Sequence, residues 1–137
     1  MQFKDIIYEV KSDYAYVTIN RPKVLNAFTP VTLQELKTAL DSAEKDKNVG
    51  VIVLSGAGDR AFCAGGDMNW ESSKEFQDHE YEFHIHLTKC SKPIIAKVDG
   101  YASGGGNHMA YFCDLTIDSE NSIFVQNGPK VGSPAGG

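Results

Sequence analysis

Two short, largely apolar segments constrain the fold of this chain more than any other feature. The runs at 49–54 and 93–98 are short for buried helices and are typical of strands covered on both faces. Segments of helical character alternate with them: Thr29-Pro30 opens one helix, and residues 71–90 predict another. Because strands and helices alternate, we expect an α/β layer fold.

The remaining elements are predicted from local patterns. Residues 5–20 predict two strands around a turn at 11–13, since apolar and polar residues alternate in the second of them. A third helix is expected at 105–112, and short strands are expected at 115–117 and 123–125. The apolar face of the first helix is formed by Leu33, Leu36, Leu40 and Ala43.

Two glycine-rich loops follow the two buried strands, at 55–67 and 100–106. The second contains three consecutive glycines, Gly104 to Gly106, which weaken helices and strands alike. In open α/β sheets, ligands bind where the carboxyl ends of strands meet. The sequence therefore predicts one ligand site built from both loops.

Three kinds of ligand site use such loops. Gly56 to Ala61 fits the G-x-G-x-x-A pattern of dinucleotide folds, but the residues after it do not favour the helix that would hold the pyrophosphate. No P-loop lysine follows either loop. The third kind is an oxyanion hole, in which backbone N–H groups stabilise a developing negative charge. Plain turns and close helix–strand packing also explain each loop taken singly.

Composition and charge narrow the class of protein. The chain of 137 residues is 42% hydrophobic and 23% charged, as in globular domains. A net charge of -5 argues against nucleic acid or an anionic membrane as the partner. The three cysteines, Cys63, Cys90 and Cys113, are widely spaced, which favours free thiols and a cytoplasmic protein. We expect neither a secretory leader nor a membrane span.

Four motifs follow one another along the chain: NRPKVLNAF, VIVLSGAGDRAFCAGGD, KPIIAKVDGYASGGGNHMAYFCDLTIDSENSIF and GPKVGSPAGG. On these motifs the chain resembles the crotonase, or enoyl-CoA hydratase/isomerase, superfamily over essentially its whole length. The resemblance implies a crotonase-like spiral of repeated β-β-α units. It also implies an acyl-CoA thioester as the substrate, so that CoA arrives with the substrate and no separate cofactor is expected.

The resemblance further implies which residues form the site. The two oxyanion N–H donors would be those of Ala64 and Gly105, one from each glycine-rich loop. Contacts to CoA and substrate would come from Lys23, Val24, Leu25, Ala27, Ala64, Gly66, Asp67, Tyr101, Gly104 and Asn127.

The chain departs from the family pattern where hydratases carry their two catalytic glutamates. His108 stands at the first position and Gly128 at the second. The run GPKVGS resembles the branch with naphthoyl-CoA synthase and 2-ketocyclohexanecarboxyl-CoA hydrolase, which close or open a ring carbon–carbon bond beside a thioester. There Ser133 and Asn127 would face the substrate, although that branch usually has an aspartate where this chain has Ala135.

The histidines carry the remaining chemistry. We predict that His108 exchanges a proton with the substrate or with a nearby water, because imidazole titrates near neutral pH. A packing or helix-capping role is the alternative. His84 and His86 lie two residues apart on a predicted helix and face different sides, so with His79 and Cys90 they predict no metal site.

Several questions stay open from the sequence. Trp70, Phe76, Tyr81 and Phe83 either close over the acyl group or belong to the core. The reaction is ring or carbon–carbon bond chemistry, hydration or isomerisation of a 2-enoyl-CoA, or acyl-CoA binding without catalysis. Family chains are considerably longer, so we expect a C-terminal helical part to lie beyond this sequence and the full-length protein to form a homotrimer or hexamer.

Overall fold

The computed structural model describes residues 1–70, 73–126 and 130. The elements follow in the order β1 (Ile6–Lys11), β2 (Tyr14–Ile19), a 3-10 turn (Pro22–Val24), α1 (Pro30–Lys45), β3 (Val51–Gly56), β4 (Ala61–Cys63), α2 (Lys74–Lys89), β5 (Ile94–Val98), β6 (Tyr101–Ser103), α3 (Gly105–Tyr111), β7 (Leu115–Asp118) and β8 (Ile123–Val125). This order confirms the predicted α/β class and its repeated β-β-α unit. Among the described helices, none has the length and apolar character needed to cross a membrane.

The strands form two sheets, and the spiral arises because successive repeats contribute strands to both sheets. The larger sheet has the order β1-β2-β3-β5-β7 and the smaller has the order β4-β6-β8. β1 and β2 are antiparallel, whereas the other neighbouring pairs are parallel. From β3 onward, the first strand of each unit joins the larger sheet and the second joins the smaller. Each repeat therefore advances both sheets by one strand.

Helix α1 begins where the sequence predicts. The Thr29 side chain accepts a hydrogen bond from the Thr32 backbone N–H, and the Thr32 hydroxyl accepts one from the Thr29 N–H, which completes a capping box. Pro30 occupies the first helical position, where its missing N–H costs nothing. The predicted apolar face is buried in the core at Leu33, Leu36, Leu40 and Ala43.

Strands β4 and β6 are absent from the sequence-based prediction. β4 lies inside the segment predicted as a loop at 55–67, and β6 directly precedes the three glycines. Each has only three residues and is held by parallel pairing to a strand distant along the chain: Ala61 pairs with Tyr101, and Tyr101 with Ile123. Local patterns do not show such pairing. The glycine loops therefore follow β4 and β6 rather than β3 and β5.

Asn26 fixes the loop between β2 and α1. The residue is 1% exposed, and its side-chain nitrogen donates to the carbonyls of Ala57 at 2.9 Å and Ala61 at 2.8 Å. Its side-chain oxygen accepts from the Arg21 N–H at 2.9 Å. Asn26 has a φ of 56°, a left-handed conformation in which asparagine is enriched. One buried side chain thus ties this loop to the residue after β3 and to the first residue of β4.

We predict that Asn26→Gly lowers the free energy of unfolding by about 2 to 4 kcal/mol. Glycine keeps the left-handed backbone, so the loss reports the three hydrogen bonds and the buried carbonyls left without a donor. Asn48→Gly is the matched control, because Asn48 is exposed. Unfolding in guanidinium, followed by circular dichroism, measures both variants. Equal losses in the two would contradict the role given to Asn26.

Candidate functional site

The parallel pairing of β4 with β6 brings the two glycine-rich loops into contact. A Cβ atom on Gly106 would collide with the Cys63 carbonyl, so α3 packs against the end of β4 only with glycine there. Gly65 has a φ of 99°, and a Cβ on it would lie 3.0 Å from the Ser103 carbonyl oxygen and 3.4 Å from the Gly105 nitrogen. The loops predicted to share a site are neighbours, and part of the glycine content serves backbone packing.

The Ala64 amide, one of the two predicted oxyanion donors, is engaged in a backbone hydrogen bond. The Ala64 N–H donates to the Leu25 carbonyl at 3.0 Å, so it is not available to a ligand while that bond exists. The Asp67 N–H likewise donates to the Phe28 carbonyl at 2.8 Å. Two backbone N–H groups that the resemblance assigns to substrate contacts therefore hold this loop to the segment before α1.

The amides of Gly66 and Gly105 at this junction form no hydrogen bond with the described part of the chain. Gly66 lies in the loop after β4, and Gly105 is the first residue of α3, where helical amides lack an intrahelical partner. The loop after β4 thus offers Gly66, two residues beyond the predicted Ala64. Convergence of two amides on one point stays a prediction.

Aromatic side chains cover both of these glycines. The Phe76 ring lies against the Cα of Gly66 and the Phe28 ring against that of Gly105. The two rings are stacked with their centroids 5.5 Å apart, and both side chains are fully buried. Of the four aromatic residues left open by the sequence, Phe76 and Phe83 belong to the core, and the other two, Trp70 and Tyr81, are exposed.

The predicted CoA-contact segment lies beside this junction. Lys23 and Val24 are exposed, and Leu25 is half-buried. The Ala27 carbonyl accepts a hydrogen bond from the guanidinium of Arg21. A cavity of about 80 Å³ opens between this segment and residues 57–61, with Leu25 in its lining. Of the predicted contact residues in this segment, Leu25 thus borders a small concave surface, and the binding role of the segment stays a prediction.

The remaining predicted substrate contacts that the structure describes are Tyr101 and Gly104. Tyr101 is 47% exposed in β6, and its N–H donates to the Arg60 carbonyl at 3.1 Å. The Gly104 N–H donates to the Val125 carbonyl at 2.9 Å. Asn127, Gly128 and Ser133 lie outside the described residues.

Helices α2 and α3 bring Glu80, His84 and His108 together. One ligand-type atom of each lies within 4.8 Å of the others, and His84 Nε2 is 4.0 Å from Glu80 Oε1. The rings of the two histidines meet edge to face, with centroids 5.8 Å apart. His84 Nε2 and His108 Nδ1 are both buried, and neither has a hydrogen-bond partner in the described part of the chain.

This cluster differs from the histidine set weighed in the sequence. His79 lies 3.9 Å from Glu75, and His86 lies 2.8 Å from Asp41, so neither belongs to the cluster. Two imidazoles and one carboxylate are ligand types that zinc accepts, which makes this cluster the set of described residues that could hold a metal. Glu80 belongs to no recognisable sequence motif, and the sequence analysis did not identify it as a site residue. The available signal was its i,i+4 spacing from His84 on a predicted helix.

Burial sets the protonation of the titratable groups nearby. Desolvation, with a further contribution from His108, lowers the pKa of His84 to about 4, so its ring is neutral at pH 7. Desolvation raises the pKa of Cys63 and of Cys113 to about 12. Both thiols stay protonated near neutral pH and are therefore poor nucleophiles.

We predict that His84 makes stability depend on pH. In an unfolded chain histidine titrates near ~6.5, so the unfolded state binds this proton more readily than the folded state. The free energy of unfolding should therefore fall, by on the order of 3 kcal/mol, as the pH drops from above 6.5 to below the folded pKa of about 4. Denaturant unfolding across that range measures it.

Two variants isolate the contribution of His84. His84→Gln should flatten the dependence, whereas His79→Gln should keep it, because the His79 side chain is 34% exposed. An unchanged slope in His84→Gln would show that other groups cause the acid sensitivity.

Solved structures of several bacterial proteins share this fold. An enoyl-CoA hydratase subunit from Geobacillus kaustophilus superposes with a TM-score of 0.90 at 31% identity, over 99% of this chain and 54% of the other. An enoyl-CoA hydratase/isomerase from Xanthobacter autotrophicus gives 0.90 at 30% identity, over 96% and 52%. An enoyl-CoA hydratase from Mycobacterium avium gives 0.86 at 28%, over 96% and 51%. The chain thus spans about half the length of these relatives.

A comparison with family models agrees with the structural matches. Residues 9–137 match the family described as enoyl-CoA hydratase/isomerase. The match covers nearly the whole sequence, including both glycine-rich loops and the segment before α1. By sequence and by fold, this chain is a member of the enoyl-CoA hydratase/isomerase family.

Proposed function

We propose that this protein is a CoA-thioester enzyme that stabilises a thioester enolate in a two-amide oxyanion hole. The observation that carries the proposal is the contact between the two glycine-rich loops, in which the N–H groups of Gly66 and Gly105 have no hydrogen-bond partner among the described residues. An amide aimed at a developing oxyanion is worth about 3 to 4 kcal/mol of barrier in known cases. Two such donors match the carbonyl oxygen of a thioester.

In this proposal Gly66, rather than Ala64, supplies the first donor. Using Ala64 would require breaking its hydrogen bond to Leu25, which would leave a carbonyl without a donor. Gly66 needs no such rearrangement, since no described hydrogen bond engages its N–H. Ala64 then acts by holding the glycine loop against the segment where Lys23 and Leu25 are expected to contact CoA.

His108 is the proposed proton-exchanging residue. It stands in the first turn of α3, three residues after Gly105, and the ring nitrogen Nδ1 is buried without a described partner. An unpaired imidazole nitrogen in this place suits proton exchange with the acyl group or with a water. CoA belongs to the substrate, so this chemistry requires no further organic cofactor.

The finer proposal is the opening or closing of a carbon–carbon bond in an alicyclic or aromatic-pathway CoA thioester. Its support is the replacement of both hydratase glutamates, by His108 and Gly128, within a GPKVGS run. A glycine at position 128 would leave space for a bulky acyl group. Asn127 and Ser133 would face that group, as the resemblance implies.

The second candidate is hydration or isomerisation of a 2-enoyl-CoA. The printed descriptions of the matched family and of the solved relatives favour it. Acyl-CoA binding without catalysis is the third candidate, motivated by the two missing glutamates. In each case we propose a cytoplasmic protein that assembles as a homotrimer or hexamer, with an acyl-CoA as its partner and no binding to nucleic acid or membranes.

The diagnostic experiment is exchange of the acyl α-proton with solvent deuterium, followed by mass spectrometry. Enolate formation leads to exchange whatever the later reaction is, so saturated and alicyclic 2-keto acyl-CoAs both serve as probes. We expect exchange well above the uncatalysed rate. Hydration of crotonyl-CoA alone would favour the second candidate. Thioester binding by calorimetry without exchange or turnover would favour the third, and no binding would overturn all three.

We predict that His108→Ala lowers turnover of the substrate identified in this way by about 100- to 10,000-fold, the usual contribution of a positioned acid or base. Thioester binding should remain close to wild type, because the expected CoA contacts lie elsewhere. His79→Ala is the control, on a partly exposed histidine outside the Glu80, His84 and His108 cluster. Full activity of a folded His108→Ala protein would make the residue structural.

A further inference from the structure

The structure places a carboxylate against the proposed oxyanion donor. A Cβ on Gly105 would lie 2.5 Å from Glu80 Oε1 and 2.7 Å from the Phe28 ring. Glu80 comes from α2, and its side chain is 24% exposed. One carboxylate oxygen therefore stands beside the residue whose N–H would bind the thioester carbonyl, on the side that a side chain would otherwise fill.

Three described titratable groups, His84, Cys63 and His108, lie near this carboxylate. His84 lies on the same helix, 96% buried and with Nε2 4.0 Å from Oε1, and burial lowers its pKa to about 4. Cys63, from β4, is close enough for its pKa to respond to Glu80, and burial raises that pKa to about 12. At neutral pH the thiol and the His84 ring are both uncharged. His108 faces the carboxylate from α3.

We propose that Glu80 is the second acid–base group of this site and accepts the proton from the carbon next to the thioester carbonyl. This assignment rests on the enolate function proposed above. The C–H bond breaks, its electron pair passes to the carbonyl oxygen held by the two amides, and the proton goes to Glu80. The carboxylic acid returns it to carbon when the enolate collapses, so no oxidant or reductant is needed.

Glu80 and His108 then divide the proton transfers between two helices. Glu80 serves the α-carbon, and His108 serves the other reacting atom or the attacking water. Two groups are needed because addition to a 2-enoyl-CoA, or cleavage beside a keto group, moves protons at two positions. The missing glutamate at position 128 is replaced in function by a carboxylate that enters from α2. The substrate class that follows is an acyl-CoA with an acidic α-hydrogen.

Deuterium exchange at the α-carbon separates these two roles. Glu80→Gln keeps the shape of the side chain but removes the base, and should lower exchange by about 100- to 10,000-fold with thioester binding retained. His108→Ala should lower turnover of the complete reaction but keep most of the deuterium exchange at the α-carbon. Glu75→Gln is the matched control, because Glu75 has the same i,i+4 relation to His79 and is 75% exposed. It should exchange at the wild-type rate.

Two further variants identify the group that accepts the proton. Glu80→Asp should retain more exchange than Glu80→Gln, since it keeps a carboxylate. Glu80→His should move the acid limb of the pH–rate profile upward, because a carboxylate ordinarily titrates near ~4.3 and an imidazole near ~6.5. A purely structural role would leave the position of this limb unchanged. Thermal unfolding of each variant separates loss of the base from loss of the fold.

The possible failures are distinct. If the wild type binds acyl-CoA but exchanges no α-proton, both the proposed enolate function and the proposed role of Glu80 are overturned. If the wild type exchanges and folded Glu80→Gln exchanges equally fast, only the role of Glu80 is overturned. Wild-type-like exchange in Glu80→Gln together with its loss in His108→Ala would assign the α-proton to His108. Stoichiometric zinc binding abolished by both His84→Ala and Glu80→Gln would also overturn the assignment, because the cluster would then be a metal site.

Discussion

The parallel pairing of β4 with β6 is the constraint on which the candidate site depends. Both strands have three residues, yet their pairing places the loop after β4 beside the start of α3. The contact is backbone against backbone, since Gly106 packs on the Cys63 carbonyl and Gly65 on Ser103. A side chain at Gly106 would push α3 away from β4, and with it the amide of Gly105.

A second set of contacts attaches the beginning of the chain to this junction. The Asn26 side-chain nitrogen donates hydrogen bonds to the carbonyls of Ala57 and Ala61. The Arg21 guanidinium lies 3.4 Å from the Asp67 carboxylate. The backbone bond from Ala64 to Leu25 completes the attachment. In the loop after β4, the amides of Ala64 and Asp67 thus hold the loop to the segment before α1, whereas the Gly66 amide between them has no partner among the described residues.

In the proposed mechanism, Glu80 supplies the carboxylate of the site from a different position in the fold than the hydratase glutamates. The positions that carry glutamate in hydratases hold His108 and Gly128 in this chain. A carboxylate nevertheless lies at Gly105, because α2 packs across the start of α3. On the proposed function, the acid–base pair is carried by one helix from each of two successive repeats. Two neutral groups, His84 and Cys63, border the carboxylate, so the local field differs from that of a pair of glutamates.

The sequence by itself determined the α/β class, the buried strands, the cap at Thr29 and the family, because all of these follow from local spacing or from ordered motifs. It also predicted that the two glycine-rich loops lie together and form one ligand site. Only the tertiary structure decided that the loops follow β4 and β6, that the Ala64 N–H is already bonded, and that Glu80 lies beside Gly105. The physical reason is the same in each case: parallel strand pairing and helix packing join residues far apart in sequence, and local patterns carry no record of which partner each will meet.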